Sequence, residues 1–458
     1  MKNIAALILA AGEGKRMKSK KAKVAHRICG KAMLEWVYCA ATQAGIEDTV
    51  VVVGPKADQV TECLKDRAQY VLQQEQLGTG HAVMQAEQYF NNYDGMIFVL
   101  YGDTPLVTQN TILKTIEVHM RQKNAATVVT AEVENPEGYG RIKRDGSGNI
   151  LGIVEHRDAS DAERGIREIN SGMYLFSSGE LFDALKNLSN KNDQGEFYLT
   201  DVLAIMKEKG LPVGASKMEN PEEVLGVNDR IQLQQVTEIL RTRIMKRHML
   251  SGVTIMSPDS TYIDEDVEIG ADTVIYPGTI LEGRTRIGED CAIGPDARLV
   301  NAVVGNNSAV LNSVVTDSRI GDDAAIGPFA YIRPDSRIGD RVKIGDFVEI
   351  KKSVIGNRTK IPHLAYIGDS EVGENTNIAC GVITVNYNGK VKSRTAIGNN
   401  AFVGCNANLV APVRISDGAY IAAGSTITED VPENALSIAR SRQVNKEDWV
   451  IKKGLQRK

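Results

Sequence analysis

Six cysteines in 458 residues, with no Cys-x-x-Cys pair, are too few and too scattered for a disulfide framework or a zinc site. They predict reduced thiols, and we therefore expect a cytoplasmic location. No apolar run reaches the length of a membrane-spanning helix. The short apolar run at residues 4–11 leads directly into a glycine-rich basic loop, which favours a buried strand over a signal peptide. A net charge of −4 gives no reason to expect nucleic acid or an anionic membrane as a partner.

The second half of the chain carries an aliphatic residue at every sixth position. The period begins at Ile263 and, after single-residue slips, continues to Ile427. A period of six fits neither a helical face nor a strand alternation, and it is typical of hexapeptide β-helix repeats. Glycine often follows the aliphatic residue, as at Gly270 and Gly321, and we expect it to take a positive φ where the chain turns a corner. The repeat predicts a prism of roughly nine stacked coils.

The first half alternates short apolar runs with amphipathic stretches. The predicted strands cover residues 4–10, 49–54, 96–101 and 126–133, and the predicted helical stretches include 31–44 and 81–89. This alternation is typical of a doubly wound, mostly parallel, Rossmann-like α/β sheet. Ligands of such sheets bind at the carboxyl ends of the strands.

A helical stretch at residues 230–250 separates the two halves. Its apolar stripe is interpreted as the packed face of a connecting arm, and it is listed as Ile231, Val236, Ile239, Leu240, Ile244 and Met245. We therefore expect an α/β domain at 1–228, a helical linker at 229–250, and a β-helix domain with a C-terminal tail at 251–458.

The loop after the first predicted strand contains Gly12-Glu13-Gly14 and is followed by Arg16, Lys23 and other basic residues. Backbone amides at the glycines and the start of a following helix would suit a nucleotide phosphate. The alternative is a tight turn on a solvated basic surface. The loop lacks the third glycine of the dinucleotide fingerprint and the Gly-Lys-Ser/Thr of a P-loop.

Asp103 directly follows the predicted strand 96–101 and therefore lies at the ligand-binding edge. A carboxylate there suits Mg²⁺, which takes one or two protein oxygens and completes its shell with phosphates and water. The alternative is an aspartate that begins a turn before Pro105.

The hexapeptide repeat is interrupted by an insertion between Ile383 and Ile397, and insertions in such repeats form loops on one face. His363 precedes it and, two positions after the buried Ile361, points outward. A lone exposed histidine usually has no role. Its position near the insertion favours a general base, which imidazole suits near neutral pH.

Several ordered motifs together resemble a known family. The first set is similar to sugar-1-phosphate nucleotidyltransferases, and it comprises residues 9–17 with Lys23, Gln73, 76–80 and 101–103. The second set is 138–142, 153–156, 168–172 and 226–229. Together with the hexapeptide half, the chain from about residue 4 to 449 resembles the bifunctional N-acetylglucosamine-1-phosphate uridyltransferase / glucosamine-1-phosphate acetyltransferases, the GlmU family.

The resemblance implies two activities and a trimer. The C-terminal domain, a left-handed parallel β-helix in the family, would transfer the acetyl group of acetyl-CoA to glucosamine-1-phosphate. The N-terminal domain would transfer uridylate from UTP to N-acetylglucosamine-1-phosphate with Mg²⁺, giving UDP-N-acetylglucosamine for peptidoglycan and lipopolysaccharide. The family is a homotrimer, and neither nucleic-acid binding nor membrane insertion is expected.

The resemblance also assigns roles to matching positions in the first half. Asp103 and Asn228 would hold Mg²⁺, and Arg16 and Lys23 would neutralise phosphates. The remaining predicted contacts to the uridine nucleotide and the amino sugar are Leu9, Ala10, Ala11, Gly12, Gln73, Gly78, Thr79, Tyr101, Gly102, Gly140, Glu155 and Asn170. Lys15 stands where the family commonly has Thr. Ala22 stands where it has Pro before Lys23, a change expected to loosen that loop.

In the second half His363 would be the general base, and Glu349 is predicted to orient its imidazole. The predicted contacts to the sugar phosphate are Arg333, Lys351, Tyr366 and Asn377. Those to acetyl-CoA are Cys380, Asn386, Tyr387, Cys405, Ala423 and Arg440. The two cysteines stand where the family commonly has Ala and Ser, and a thiol is a weaker hydrogen-bond donor than a hydroxyl.

Two other hypotheses remain at this point. The chain would be a single-activity nucleotidyltransferase if its β-helix served only assembly or regulation, but His363 beside the insertion favours two activities. A non-catalytic sugar-nucleotide sensor would not need Asp103 and Asn228 together with both phosphate-neutralising cations.

Overall fold

The computed structural model describes residues 3–192 and 194–456. These residues form two compact units, one ending at Leu240 and the other beginning at Arg241. Within the described ranges, no helix combines the length and apolar content that crossing a membrane requires.

The first unit is built on a mixed sheet of nine strands, counted over the described residues, in the order β11-β7-β10-β6-β1-β4-β5, with β8 beside β10 and β9 beside β8. The strands of this unit, including the separate hairpin β2–β3, are β1 Ile4–Ala10, β2 Arg27–Ile28, β3 Lys31–Ala32, β4 Asp48–Val53, β5 Gln69–Leu72, β6 Met96–Tyr101, β7 Ala126–Glu132, β8 Arg141–Arg144, β9 Ile150–Val154, β10 Glu168–Ser177 and β11 Val213–Lys217. Parallel pairing of β1 with β4 and β6 places their carboxyl ends at one edge. Only β10 departs from the parallel direction among the central strands, because it runs antiparallel to β6 and β7. The predicted doubly wound, mostly parallel sheet is confirmed.

Helices cover the sheet, and buried side chains fill both of its faces. The helices of this unit are α1 Met33–Gln43, α2 Ala57–Leu64, α3 Thr79–Met84, α4 Gln109–Gln122, α5 Asp161–Arg164, α6 Ser178–Leu185 and α7 Asp201–Glu208. Helix α8 Arg230–Leu250 crosses from this unit into the second, and α9 Trp449–Lys452 belongs to the second. The 3₁₀ turns are Lys15–Met17, Lys23–Ala25, Lys65–Arg67, Glu87–Phe90, Pro221–Val224 and Pro258–Ser260. β1 is buried along nearly its whole length, which explains its uniformly apolar sequence.

α8 has the predicted bounds and carries the chain from the first unit into the second. Its predicted apolar stripe is partly wrong. Val236 and Leu240 are buried, whereas Ile231 is 71% exposed. Ile231 lies in the first turn of the helix, and its side chain is left in solvent there.

The second unit is a left-handed parallel β-helix with three sheets, one on each side of a prism. Counted over the described residues, the sheets have eleven, ten and nine strands. The first sheet consists of Thr254–Ile255, Val274–Ile275, Ala292–Ile293, Ala309–Val310, Ala325–Ile326, Lys343–Asp346, Lys360–His363, Asn377–Ile378, Phe402–Val403, Tyr420–Ile421 and Leu436–Ser437. The second consists of Tyr262–Ile263, Ile280–Glu282, Arg298–Val300, Val314–Thr316, Tyr331–Ile332, Glu349–Lys351, Tyr366–Gly368, Ile383–Val385, Asn408–Val410 and Thr426–Ile427. The third consists of Glu268–Ile269, Arg286–Ile287, Val303–Val304, Arg319–Ile320, Arg337–Ile338, Val354–Ile355, Ser370–Val372, Thr395–Ile397 and Val413–Ile415.

The aliphatic residues stack inside the prism as the period predicts. Ile326, Ile344 and Ile361 pair in register on three successive coils, and each is at most 1% exposed. Burial of these columns stabilises the unit, because each fully buried aliphatic side chain contributes about 1.5–3 kcal/mol.

The expected role of the repeat glycines holds at Gly294 and Gly327, with φ of 98 and 97, but it is wrong at most of the others, including Gly270 and Gly321. Positive φ at the coil corners belongs largely to aspartate and asparagine, such as Asp323 with φ 54. Gly321 is instead needed for close approach: a Cβ there would lie 2.3 Å from Asp340 Oδ1, which accepts a hydrogen bond from Asp322 N at 3.0 Å. Side chains that cross between coils therefore exclude a Cβ at this position.

Candidate functional sites

The loop after β1 lies at the carboxyl edge of the first sheet. Gly14 has φ 66, and a Cβ there would lie 2.7 Å from Lys23 Cβ. Gly12 has open space beside it. The first glycine therefore leaves room for a ligand, and the second allows the loop to approach the lysine.

The helix start expected after this loop is absent. The chain makes only a 3₁₀ turn over Lys15–Met17, and the first α-helix begins at Met33. Such a short turn provides little dipole, so negative charge at this edge must be met by side chains, among them Arg16 and Lys23.

Asp103, Asn228 and Lys23 converge at one point of the same edge. Lys23 Nζ contacts Asp103 Oδ2 and lies 3.2 Å from Asn228 Oδ1. Val227 N donates to Asp103 O at 2.9 Å, which brings the two predicted metal ligands together. One carboxylate and one amide oxygen around a single cation-sized position form a donor set that fits Mg²⁺ completed by phosphates and water.

Nearly all of the predicted residues of the first half line two adjoining cavities. The larger, of about 740 Å³, is lined by Arg16, Tyr101, Asp103, Gly140, Glu155, Asn170 and Asn228 among others. The smaller, of about 250 Å³, is lined by Leu9, Ala10, Ala11, Gly12, Lys23, Gln73 and Gly78 among others. Thr79 lines both. Gly102 lines neither, and a Cβ there would lie 3.2 Å from Val24 Cγ1, so its place is in the wall behind the site.

The sugar-side residues differ in how they are held. Asn170 is buried, and its side chain donates to Tyr174 OH at 2.7 Å and accepts from Gly172 N at 3.0 Å. Burial raises the pKa of the Glu155 carboxyl, and a hydrogen bond from Thr200 partly offsets this. The Asn170 amide is therefore engaged within the protein through both its nitrogen and its oxygen, whereas Glu155 Oε1 accepts from Thr200 Oγ1 at 3.4 Å.

Gln76 belongs to the motif at residues 76–80 but is not among the contacts predicted from the sequence. Its Nε2 donates to Ala11 O, and the residue lines the smaller cavity. Its position two residues before Gly78, a predicted contact to the nucleotide, is the feature of the sequence that could have indicated a role at this cavity.

In the second unit His363 ends a strand of the first sheet, and its side chain is exposed as expected. Its Nδ1 lies 2.7 Å from Asp346 Oδ1, and the two residues pair in register on adjacent coils. This hydrogen bond holds the pKa of the Asp346 carboxyl below its ordinary value.

The predicted orienting role of Glu349 is wrong. Glu349 belongs to the second sheet, beyond the corner, and its Oε1 accepts from Arg333 Nη1 at 2.7 Å. The residue that reaches His363 is Asp346, because it occupies the equivalent position one coil earlier on the same sheet.

Basic side chains meet the Asp369 carboxylate at the next corner of the prism, where strands of the second sheet end. Lys351 Nζ lies 3.0 Å from Asp369 Oδ2, which also accepts from Asn386 Nδ2. Burial alone would raise the pKa of the Asp369 carboxyl, but these two donors bring it below its ordinary value. The Lys351 ammonium lowers the pKa of Lys392. Lys392 lies in the insertion and is not among the residues predicted from the sequence to contact a ligand. Two ammonium groups against one carboxylate leave positive charge for an anion.

The two predicted cysteines follow the corner of His363 over successive coils. Asn406 N donates to Cys380 O and Gly424 N donates to Cys405 O, each at 2.8 Å, so both cysteines occupy equivalent positions. Ala423 occupies the next position along this corner and precedes Gly424, where a Cβ would lie 3.7 Å from Arg440 Cδ. Asn377 pairs with Lys360 in the first sheet. Asn386 Nδ2 lies 3.4 Å from Tyr366 OH, and Tyr387 donates to Gly389 O at 2.7 Å.

Comparison with known proteins agrees with both halves. Residues 5–220 match the family model of nucleotidyl transferases, and residues 317–352 and 394–429 match that of the bacterial transferase hexapeptide with six repeats. Proteins named Bifunctional protein GlmU are similar over the whole chain. That of Acetivibrio thermocellus is 61% identical over 457 residues, covering 100% of this chain and 99% of its own. That of Caldanaerobacter subterraneus is 56% identical over 457 residues, covering 99% of this chain and 100% of its own. Identity of this extent over both chains establishes that the chain belongs to the GlmU family of bifunctional proteins.

Proposed function

We propose that the chain catalyses two consecutive reactions at two sites. In the second unit an acetyl group passes from acetyl-CoA to the amine of glucosamine-1-phosphate. In the first unit the resulting N-acetylglucosamine-1-phosphate attacks UTP, and UDP-N-acetylglucosamine and pyrophosphate are formed. The observation that carries the proposal is the presence, in one chain, of the Lys23–Asp103–Asn228 cluster and the His363–Asp346 pair.

Uridylyl transfer joins two polyanions and needs no protein nucleophile. An oxygen of the sugar phosphate attacks the α-phosphorus of UTP as the bond to pyrophosphate breaks, and positioning with cations supplies most of the catalysis. Arg16 and Lys23 would contact the phosphates, and Glu155 would hold the sugar. Asp103 and Asn228 would hold Mg²⁺, which when bound neutralises charge on the phosphate oxygens.

Acetyl transfer requires a neutral amine. Because the Asp346 carboxylate only accepts hydrogen bonds, His363 Nδ1 carries a proton and Nε2 is the acceptor. Nε2 would take a proton from the attacking nitrogen as this nitrogen bonds to the thioester carbon and the C–S bond breaks, and the further proton of an ammonium form would go to water. The CoA thiolate would take the proton from the protonated imidazole and leave as the thiol. Arg333, Lys351 and Lys392 would hold the sugar phosphate.

The other two hypotheses are weaker. A structural or regulatory β-helix would not need a carboxylate–imidazole pair beside a patch of ammonium groups. A sensor would not need the cation-binding oxygens of Asp103 and Asn228. The bifunctional name of the relatives also favours two activities.

A homotrimer is part of the proposal. Phe329, Phe347 and Leu364 lie at one corner with φ of 59, 58 and 40, and each is between 57% and 59% exposed. Asparagine takes the same conformation at Asn312, one coil before Phe329. Bulky apolar residues are unfavourable both in this backbone conformation and in water, and a partner subunit would cover them. Closed contacts between three copies would form a ring. A cytoplasmic location is proposed from the cysteine content.

The direct test is an assay of the purified chain for both half-reactions. We expect CoA release with acetyl-CoA and glucosamine-1-phosphate, and Mg²⁺-dependent pyrophosphate release with UTP and N-acetylglucosamine-1-phosphate. Pyrophosphate release without any CoA release would instead support the single-activity hypothesis.

A further inference from the structure

The segment that precedes Lys23 is held to helix α2 by a side chain. Ala22 donates its backbone N–H to Gln59 Oε1 at 2.7 Å. Gln59 Nε2 lies 3.4 Å from Lys20 O. One glutamine therefore contacts the loop on both sides of Lys21.

A lysine at the start of the same helix supports this contact. Lys56, the N-cap residue of α2, places Nζ 3.3 Å from Ser19 O and 3.4 Å from Lys21 O. The beginning of α2 thus contacts the loop at several backbone groups.

The backbone at Ala22 has the conformation of a proline. Ala22 has φ −59 and ψ 140 and is only 5% exposed. Proline, which the family commonly has here, fixes φ near this value through its ring and has no N–H. Alanine leaves φ unrestrained by any ring, but it offers an N–H, and Gln59 binds that N–H.

We propose that Gln59 is a positioning residue for uridylyl transfer, because its hydrogen bond to the Ala22 N–H holds the loop that proline would otherwise stiffen. Ala22 directly precedes Lys23, whose ammonium contacts Asp103 and Asn228. Loss of the hydrogen bond would let Lys23 leave this position. The proposal rests on the function proposed above and explains how this chain keeps a firm phosphate loop without proline.

The test is a cycle of four proteins: the wild type, Gln59→Leu, Ala22→Pro and the double variant. Leucine has a similar size but accepts no hydrogen bond, so Gln59→Leu should lower kcat/KM for UTP roughly 3–10-fold, the effect of one hydrogen bond. In the Ala22→Pro background, Gln59→Leu should lower kcat/KM for UTP by less than about twofold, because the proline ring fixes φ at residue 22. Gln59→Glu, which keeps an acceptor, should restore most of the activity, and acetyl transfer should stay unchanged in every variant.

Two outcomes would overturn the proposal: no effect of Gln59→Leu, or an equal effect in both backgrounds. If Ala22→Pro does not fold, Ala22→Gly replaces it. In the Ala22→Gly background, Gln59→Leu should lower kcat/KM for UTP more than it does in the wild type. Hydrogen exchange of the Ala22 amide gives a readout independent of activity, and it should be faster in Gln59→Leu than in the wild type. Unchanged exchange would contradict the hydrogen bond itself, whereas a wild type that does not turn over UTP would contradict only the proposed function.

Discussion

At the scale of single residues, the first site depends on a balance between one ammonium group and two oxygen donors. Lys23 and Asp103 have side chains only 12% and 17% exposed, so each compensates the other's charge where water is scarce. The same two oxygens that bind the ammonium would bind Mg²⁺, and Lys23 would then contact the phosphates. Removing either side of this balance should disable the site.

Asp103→Ala should therefore abolish Mg²⁺-dependent uridylyl transfer. The variant loses a proposed metal ligand and leaves Lys23 without its carboxylate partner. Acetyl transfer should persist, because His363 belongs to the other compact unit. Steady-state assays of both reactions on the same preparation check this, and parallel loss of both activities in a folded variant would contradict a two-site enzyme.

At the second site His363→Ala should lower kcat of acetyl transfer by roughly 10²–10⁴-fold, the range for a lost general base. Asp346→Ala should cost less, about tenfold, because the pair is exposed and water can partly replace the carboxylate. If Asp346 acts through His363, the double variant should be no slower than His363→Ala. If the reductions in kcat of the two single variants multiply in the double variant, Asp346 acts independently of His363.

Residues at strand ends were predictable, and residues whose place depends on coil register were not. Asp103 follows an apolar strand, so its position at the sheet edge could be inferred without a structure. Asp346 and Glu349 are three positions apart, and only the position of the corner decides which one meets His363. Lys392 lies in an insertion with no period, so nothing in the sequence indicated that it would reach Lys351.

At the scale of elements, the aliphatic period predicted the coils because inward side chains must stack at every turn. The reason for the glycines was not predictable in the same way, since it depends on side chains one coil away. Gly321 faces Asp340, nineteen residues later, and a pattern of single hexapeptides does not show that contact. The helix expected after Gly14 does not form for a related reason, because the chain turns back and brings Lys23 against Gly14.

Gly321→Ala should consequently destabilise the β-helix. Its Cβ would lie 2.3 Å from Asp340 Oδ1 and 2.8 Å from the Gly339 carbonyl carbon, and overpacking of this kind costs about 1–3 kcal/mol. Gly179→Ala is the matched control, because that glycine lies in α6 with no atom within 4 Å of a Cβ, and alanine favours helices. A lower apparent Tm for Gly321→Ala and an equal or higher one for the control are expected from thermal denaturation. No change in Gly321→Ala would contradict the packing argument.

Helix α8 should make stability depend on pH. Burial, reinforced by the neighbouring Arg247, lowers the pKa of His248 to about 4. An unfolded histidine titrates near 6.5, so the contribution of the neutral buried form is present above that pH and is lost as the pH falls from 6.5 towards 4. The apparent Tm of the wild type should drop over this window. His248→Gln should show a smaller drop, and an identical pH profile for the two proteins would contradict the assignment.

At the scale of the whole molecule, the residues proposed to bind acetyl-CoA extend over several coils of the corner that carries His363. Gly381 N donates to Leu364 O, Asn406 N donates to Cys380 O and Gly424 N donates to Cys405 O, so Arg440 beside Gly424 lies three coils from His363. Three coil spacings amount to about 14 Å. We therefore assign Arg440 at each proposed acetyl site to a second chain, and the exposed Phe329 and Phe347 mark where that chain would approach.

We therefore expect each acetyl site to combine His363 of one subunit with Arg440 of another. Neither His363→Ala nor Arg440→Ala trimers should be active alone. In a cyclic trimer of shared sites, every mixed assembly contains one intact site, so an equal mixture after subunit exchange should regain about one quarter of wild-type acetyl transfer. Mixtures that stay as inactive as their parents, with exchange verified by mass spectrometry of tagged subunits, would place the whole site in one chain. Uridylyl transfer should be equal in all mixtures, because its cavities are lined by residues of the first unit alone.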